Sequence, residues 1–125
     1  KNTTESDKLI SNAVASIIHS AEKIDKIVCF THTGKTARMF SRLRLQVPIF
    51  AVTENVDVRR KLNLLYGVTP FTLDLADTSI EAESRVIVIL KEQGIVKTGE
   101  RIFFVHGNFW QTAGETNSLS VHTVD

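Results

Sequence analysis

The sequence predicts an α/β sandwich on a mainly parallel sheet, and three observations point to it. Four short apolar runs, at Ile27 to Phe30, Ile49 to Val52, Pro70 to Leu73 and Ile102 to Val105, alternate with segments of helical periodicity. No helical segment separates the fourth run from the mixed tail at Leu119 to Val124. The Gly107 to Ser118 loop can therefore return the chain antiparallel, whereas a parallel neighbour requires a longer crossover. Finally, 125 residues with 42% hydrophobic and 23% charged content suffice for one domain with its own core. Residues 1–125 read as a single domain, without internal repeats or a low-complexity linker.

Each element has a local reason. Thr4 with Asp7 resembles a capping box, and Leu9, Ile10, Ala13, Val14, Ile17, Ile18 and Ala21 form one apolar helical face. Asp25-Lys26 turns the chain into the first strand. A second helix follows, with Thr36, Met39, Phe40 and Leu43 at helical spacing, and Pro48 then precedes the second strand. Asn55 caps a third helix that turns Val58, Leu62 and Leu65 inward and ends by Gly67. Pro70 opens the third strand. The run Arg85-Val86-Ile87-Val88-Ile89-Leu90 fits a strand or a buried helix; Thr78 with Glu81 as a capping box and Gly94 as an αL terminator favour the helix. The turn around Gly99 leads into the fourth strand. The tail intersperses Leu119, Val121 and Val124 with Ser120, His122 and Thr123, the pattern of a half-exposed edge strand.

The most informative stretch is Val28-Cys29-Phe30-Thr31-His32-Thr33-Gly34-Lys35-Thr36, where a buried strand stops at a small turn that opens directly into a helix. The first N–H groups of a helix lack intrahelical acceptors, and the dipole there favours an anion. Thr31, Thr33 and Thr36 bring hydroxyl donors, Gly34 lets the backbone approach closely, and Lys35 adds a point charge. The alternative is an ordinary strand-to-helix turn with a threonine N-cap. Gly34-Lys35-Thr36 also resembles the end of a nucleotide P-loop, but Cys29 stands where that motif needs its first glycine. The turn is thus too short to encircle a triphosphate, and a single phosphate ester suits it better.

Composition narrows the rest. A net charge of +1 gives no global attraction to nucleic acid or to an anionic membrane, so any anion binding is local. The one cysteine, Cys29, has no partner and sits in an apolar run, which suits a reducing cytoplasm and an inert core thiol. No apolar stretch approaches a membrane span, and no charged-then-apolar leader opens the chain. The Asn2-Thr3-Thr4 glycosylation pattern carries little weight without a secretory signal. The chain opens on Lys1 and its only methionine is Met39, so it is expected to be a segment of a longer protein.

Several segments together resemble the C-terminal domain of pyruvate kinase. They are Thr31 to Arg38, Val47 to Thr53, Arg60 to Val68, Gly94 to Glu100 and Thr116 to Val124, in this order and spacing over nearly the whole chain. The resemblance implies a three-layer α/β/α sandwich with a five-stranded sheet, order 3-2-1-4-5 and strand 5 antiparallel. It implies a regulatory role, binding a sugar-phosphate or other phosphorylated effector and helping to assemble a tetramer in the cytoplasm. The family's phosphate-gripping turn matches Thr31, His32, Thr33, Gly34, Lys35 and Thr36. Its second effector loop matches Gly107 to Thr116, within which Gly107, Asn108, Trp110, Gly114 and Thr116 are the candidate contacts. In that strand order the carboxyl ends of strands 1 and 4 flank a crevice of the kind where open α/β sheets bind ligands, and both loops emerge there. Family members that hold a bisphosphate grip the second phosphate with a basic residue. Here Gly107 to Thr116 has no lysine or arginine and includes Glu115, which leaves a monophosphate effector, fructose bisphosphate and no effector as alternatives.

No catalytic residue, metal ligand or cofactor is assigned to this chain. His32 and His106 each follow a central strand and read as polar loop residues facing the crevice, without the further donor a zinc site needs. His122 alternates with valines expected to face the core and reads as a surface histidine, and His19 lies on the first helix. Asp57, Asp74, Asp77, Glu81 and Glu83 read as solvated carboxylates at caps and helix faces. By resemblance, the phosphoenolpyruvate, magnesium and potassium sites belong to a barrel domain that precedes this one. The rival readings are a freestanding phosphometabolite-binding protein, a phosphate-ester hydrolase using His32 or His106, and a domain that only builds subunit contacts.

Overall fold

The computed structural model describes residues 12–13, 15–16, 23–73, 79–106 and 118–125. Five strands, β1 (Lys26–Phe30), β2 (Ile49–Thr53), β3 (Val68–Thr72), β4 (Arg101–His106) and β5 (Ser118–Thr123), form one sheet in the order β3-β2-β1-β4-β5. The first four are mutually parallel where they pair, and β5 runs antiparallel to β4. Three helices, α1 (Lys35–Arg42), α2 (Val56–Leu62) and α3 (Ser79–Glu92), join them. The predicted sandwich and strand order are those observed.

Side chains alternate across each strand, so the central strands feed two cores. Ile27 and Cys29 of β1, Ile49 and Ala51 of β2 and Phe103 and Val105 of β4 pack on Ala37 and Phe40 of α1 and Leu62 of α2. Val28, Phe30, Phe50, Val52, Ile102 and Phe104 pack on Ala82, Val86 and Leu90 of α3. This two-sided burial is why the runs are apolar throughout rather than alternating. Right-handed crossovers explain which helix covers which face. The chain steps from β1 to β2 to β3 in one direction, placing α1 and α2 together, then steps back past β1 to β4, which places α3 opposite. The reversal falls between β1 and β4, the switch point where such sheets bind ligands.

The Arg85 to Leu90 run is helical, and Gly94 takes the left-handed conformation (φ 76°) that ends it. Its proposed capping box at Thr78 lies outside the described residues. Asn55 caps α2 as expected, its Oδ1 accepting from Asp57 N (2.8 Å) and Val58 N (3.1 Å). Of the first predicted helix, residues 12–13 and 15–16 are described and helical. There Ala13, expected on the apolar face, is exposed, and Ala15 packs on the core. The third strand begins at Val68, two residues before its predicted start, and carries Pro70 inside it. A proline fits there because β3 is an edge strand, where a missing N–H need not break a ladder.

The amino ends of β1 and β4 are tied by charge. The Lys26 ammonium donates to both carboxylate oxygens of Glu100 at 3.0 Å, and the Arg101 backbone N–H donates to Asp25 Oδ2 at 2.9 Å. The Arg101 N–H, against the opposing effect of burial, holds the Asp25 carboxyl below its ordinary range. For Glu100 burial pushes the carboxyl up, and Lys26 with the Lys97 N–H outweighs it, leaving a net lowering. Both folded values thus lie below the unfolded ones. Their stabilisation is complete above the ordinary carboxylate range, about pH 4, and is lost as pH falls through the folded values. Urea melts from pH 7 to pH 2.5 are expected to show a midpoint that drops below about pH 4, and an Asp25→Asn, Glu100→Gln variant a flatter one. Equal acid slopes for the two proteins would remove these groups as the cause.

Candidate functional site

The candidate turn leaves β1 at Phe30 and enters α1 at Lys35. Cys29 is inside the strand and wholly buried, and burial pushes its thiol up to about 12, so it is an inert core residue. The turn is accordingly short, as its departure from the P-loop pattern predicts. Thr31 N donates to Val52 O (2.9 Å), which holds the start of the turn to β2.

The N-cap of α1 is Gly34 rather than a threonine. It sits at φ 93°, ψ −3°, a conformation that favours glycine. The backbone therefore demands glycine, and a Cβ there would stand 3.2 Å from Arg38 Nη1 and 3.2 Å from Leu62 Cδ2, side-chain tips that would have to give by a few tenths of an ångström. The threonine hydroxyls first serve the turn itself: Thr31 Oγ1 accepts from Gly34 N (2.8 Å), and Thr33 Oγ1 accepts from Lys35 N (3.4 Å). Beyond the donor role expected of them, the Thr31 and Thr33 hydroxyls thus also accept bonds within the turn. Thr31 is buried at 5% exposure and braces the turn from below, whereas Thr33 is exposed, and its hydroxyl keeps a proton to donate outward.

Charge favours an anion here. α1 has no acidic residue of its own in its first turn and begins with half-buried Lys35, which suits an anion at its positive dipole end. α2 contrasts with it, carrying an Asn55 cap and Asp57 in its first turn. One basic group at the turn was not among the sequence candidates. Arg38 N closes the first helical bond to Gly34 O (3.0 Å), and Arg38 Nη1 donates to Thr33 O (3.4 Å). Its signal was its position, one helical turn beyond Gly34 on the same side.

Thr36 is buried at 8% exposure at the foot of the helix, and His32 is exposed beside Thr33. Cys29 pairs with Val105 in the register, so the turn lies beside the carboxyl end of β4, from which the chain continues into residue 107. Gly107, Asn108, Trp110, Gly114 and Thr116 lie outside the described residues, as does the side chain of His106. No group of three or more His, Cys, Asp or Glu among the described residues could hold a metal ion.

Two expectations about the other side of the sheet are overturned. Glu83 is a buried carboxylate at 5% exposure, and His122 is its partner, with Nε2 2.7 Å from Glu83 Oε1. Ser120 Oγ donates to Glu83 Oε2 at 3.2 Å, and the His122 ring meets Phe104 edge-on at 5.1 Å between centroids. β5 thus turns Ser120 and His122 toward α3 and leaves Val121 exposed, the reverse of the expected facing. Asp57 is exposed at the start of α2 as expected, while Asp74, Asp77 and the side chain of Glu81 lie outside the described residues.

Comparison with known proteins gives a consistent result. The model of the family described as pyruvate kinase, alpha/beta domain, matches residues 8–122. Pyruvate kinase 2 of Synechocystis sp. is 36% identical over 119 residues, which cover 92% of this chain and 20% of that protein. The pyruvate kinase of Bacillus licheniformis is 36% identical over 118 residues, covering 92% and 20%. A crystal structure of a pyruvate kinase from Cryptosporidium parvum superimposes with a TM-score of 0.83 at 23% identity, over 100% of this chain and 24% of that one, a likeness of fold. The chain spans about a fifth of the length of the curated relatives it matches. No helix among the described residues is long and apolar enough to cross a membrane.

Proposed function

The chain belongs to the pyruvate kinase alpha/beta-domain family, and from that membership we propose that it is the regulatory domain of a cytoplasmic pyruvate kinase. In that reading the whole protein transfers a phosphoryl group from phosphoenolpyruvate to ADP, giving pyruvate and ATP. The reaction and its magnesium and potassium ions belong to other parts of the polypeptide. This domain supplies a seat for a phosphate-bearing effector and a share of the contacts of a tetramer.

The observation that carries the reading is the start of α1. A left-handed glycine N-cap, a first turn without carboxylates, Lys35 and the exposed Thr33 hydroxyl stand together at the β1/β4 switch point. One phosphoryl group fits such a seat. The Gly107 to Thr116 loop closes over the rest of the effector, with Asn108 and Trp110 as its contacts. Effector binding acts by population shift: a ligand that holds this turn and loop better in the active arrangement of the tetramer moves the equilibrium toward it.

In the full-length enzyme, Thr33→Ala with Lys35→Ala is expected to raise the effector concentration for half-maximal response about tenfold or more and leave the effector-free rate within about twofold, since two charge-assisted contacts are lost far from the chemistry. A panel of sugar monophosphates, sugar bisphosphates, AMP and inorganic phosphate, read as melting temperature, identifies the effector, because a ligand of the folded state raises stability by mass action. A second reading, a domain that only makes subunit contacts, draws on the absence of Lys and Arg from Gly107 to Thr116. It requires that no member of the panel shift the melting temperature.

A further inference from the structure

The carboxyl ends of α1 and α2 meet beside the amino ends of β2 and β3, at the opposite end of α1 from the Thr31–Thr36 turn. Ser41 Oγ donates to Tyr66 O at 2.9 Å and Ile49 N donates to Gly67 O at 3.1 Å, which ties the two connections together. Segments 38–46 and 59–69 hold six Lys and Arg residues and no Asp or Glu. Each helix carboxyl end offsets about half a positive charge, so most of the excess remains. Arg42, Arg44, Arg60 and Lys61 are exposed. Arg60 pairs with Asp57 at 3.6 Å, but both side chains stand largely in water, which screens the pair. Apolar groups share the surface. Leu64 is 88% exposed, Tyr66 59% and Leu43 36%, and an open cleft of about 560 Å³ beside Tyr66 is lined by Leu45, Val47, Pro48 and Val68. The Arg44 guanidinium carbon lies 4.1 Å from the centre of the Tyr66 ring, and its backbone is left-handed (φ 52°) two residues past the end of α1. Glycine is the usual residue at such a place, because a Cβ is strained there. Here an arginine holds that strained conformation and stacks on an exposed tyrosine, a surface feature kept at some cost in stability.

We propose that this surface docks a separate protein through an acidic segment. An apolar side chain of the partner enters the cleft beside Tyr66, and carboxylates flanking it pair with Arg42, Arg44 and Lys61. Exposed leucines and a tyrosine bordered by arginines have the composition of a protein interface, an apolar centre with a charged rim. Three of the four exposed cations are arginines, whose guanidinium meets a carboxylate through two parallel N–H···O bonds. A nucleic acid strand is held by charge and by stacked aromatic rings, and it would leave Leu43 and Leu64 without a contact.

The test selects a random peptide library displayed on phage against the full-length enzyme and measures the enriched peptides by fluorescence anisotropy. Two variants of exposed residues are compared with the parent, and melting curves check that they fold. Enriched peptides are expected to carry Asp or Glu on both sides of a Leu, Phe or Trp. Leu64→Ser with Tyr66→Ala is expected to weaken them about tenfold or more at any salt, because it removes the apolar contact. Arg42→Gln with Lys61→Gln is expected to weaken them about three- to tenfold at about 20 mM salt, where the Debye length is about 20 Å. At about 300 mM, where it is about 6 Å, that difference should fall below about twofold. No enrichment, peptides without an acidic bias, or peptides that bind both variants as tightly as the parent would overturn the docking surface. Enrichment on the 125-residue chain but not on the full-length enzyme also overturns it, and marks this face as covered by the rest of the polypeptide. Binding of a single-stranded oligouridylate that Tyr66→Ala abolishes, with no peptide enriched, overturns it in favour of a nucleic acid.

Discussion

Truncating Phe104 to alanine is expected to destabilise the domain by about 3–5 kcal/mol, the range for removing a buried phenylalanine from a packed core. Phe104 is at 0% exposure in β4, the strand between the switch-point partner β1 and the edge strand β5. Its ring stacks on Phe30 with centroids 6.0 Å apart and planes at 16°, and it makes a T-shaped contact with the His122 ring at 5.1 Å. It also lies in the core that seats Ala82, Val86 and Leu90 of α3. Alanine therefore loses transfer free energy, two ring contacts and the packing of a helix at once. Neighbouring strands hold the backbone through ladders on both sides, so little of the cavity can collapse. Since domains of this size are stable by only about 5–15 kcal/mol, such a loss is a large fraction of the total. Urea unfolding of the variant measures it directly. Phe104→Leu, which keeps most of the volume, is expected to cost less than about 2 kcal/mol. A loss below about 1 kcal/mol for the alanine variant would mean that α3 does not pack on this face as described.

The same neighbourhood shows what could and could not be read from the residues. Central strands such as Val28-Cys29-Phe30 and Phe103-Phe104-Val105 are apolar on both faces, so their recognition needs no choice of facing, and the alternation with helices follows from them. The Arg85 to Leu90 run is a helix despite its β-branched residues, and Gly94 marked its end. The turn at Thr31 to Lys35 was legible as a place, because a strand stopping against Gly34 leaves few other options. Its internal bonding was not. A threonine hydroxyl both donates and accepts, and only the observed geometry shows the Thr31 oxygen accepting from Gly34 N. β5 was misjudged for a related reason. An edge strand with mixed residues on both faces gives the period of two no apolar side to lock onto, so the facing is set by what lies across it. That partner, Glu83, lies 39 residues earlier in the chain, and nothing local signals a carboxylate that is buried because an imidazole reaches it. Pro70 misled in the same way, since whether a proline starts a strand or sits within one depends on whether that strand is at the sheet's edge.

Glu83→Ala is expected to cost about 2–3 kcal/mol, and most of that should vanish when His122 is already alanine. The carboxylate is at 5% exposure and is accepted into a small network: Ser120 Oγ at 3.2 Å, His122 Nε2 at 2.7 Å. These bonds join α3 to β5, whose backbone ladder runs to β4 alone. Breaking a fully buried ion pair costs about 3–5 kcal/mol, because the survivor is left charged and dry. Here the His122 side chain is 38% exposed and the loss is correspondingly smaller, since the freed imidazole can turn to water. Ser120 has less freedom and loses its acceptor. Glu83→Gln preserves shape and one acceptor oxygen, and should cost about 1 kcal/mol. The reverse deletion is informative: His122→Ala takes the 2.7 Å partner from a buried carboxylate, so it should cost at least as much per atom removed as Glu83→Ala. Urea melts of the two single variants and the double variant give the coupling, expected at about 1–2 kcal/mol. Strict additivity would show that Glu83 and His122 are merely neighbours, and that β5 is held to the domain by its ladder and by Phe104 without help from this pair.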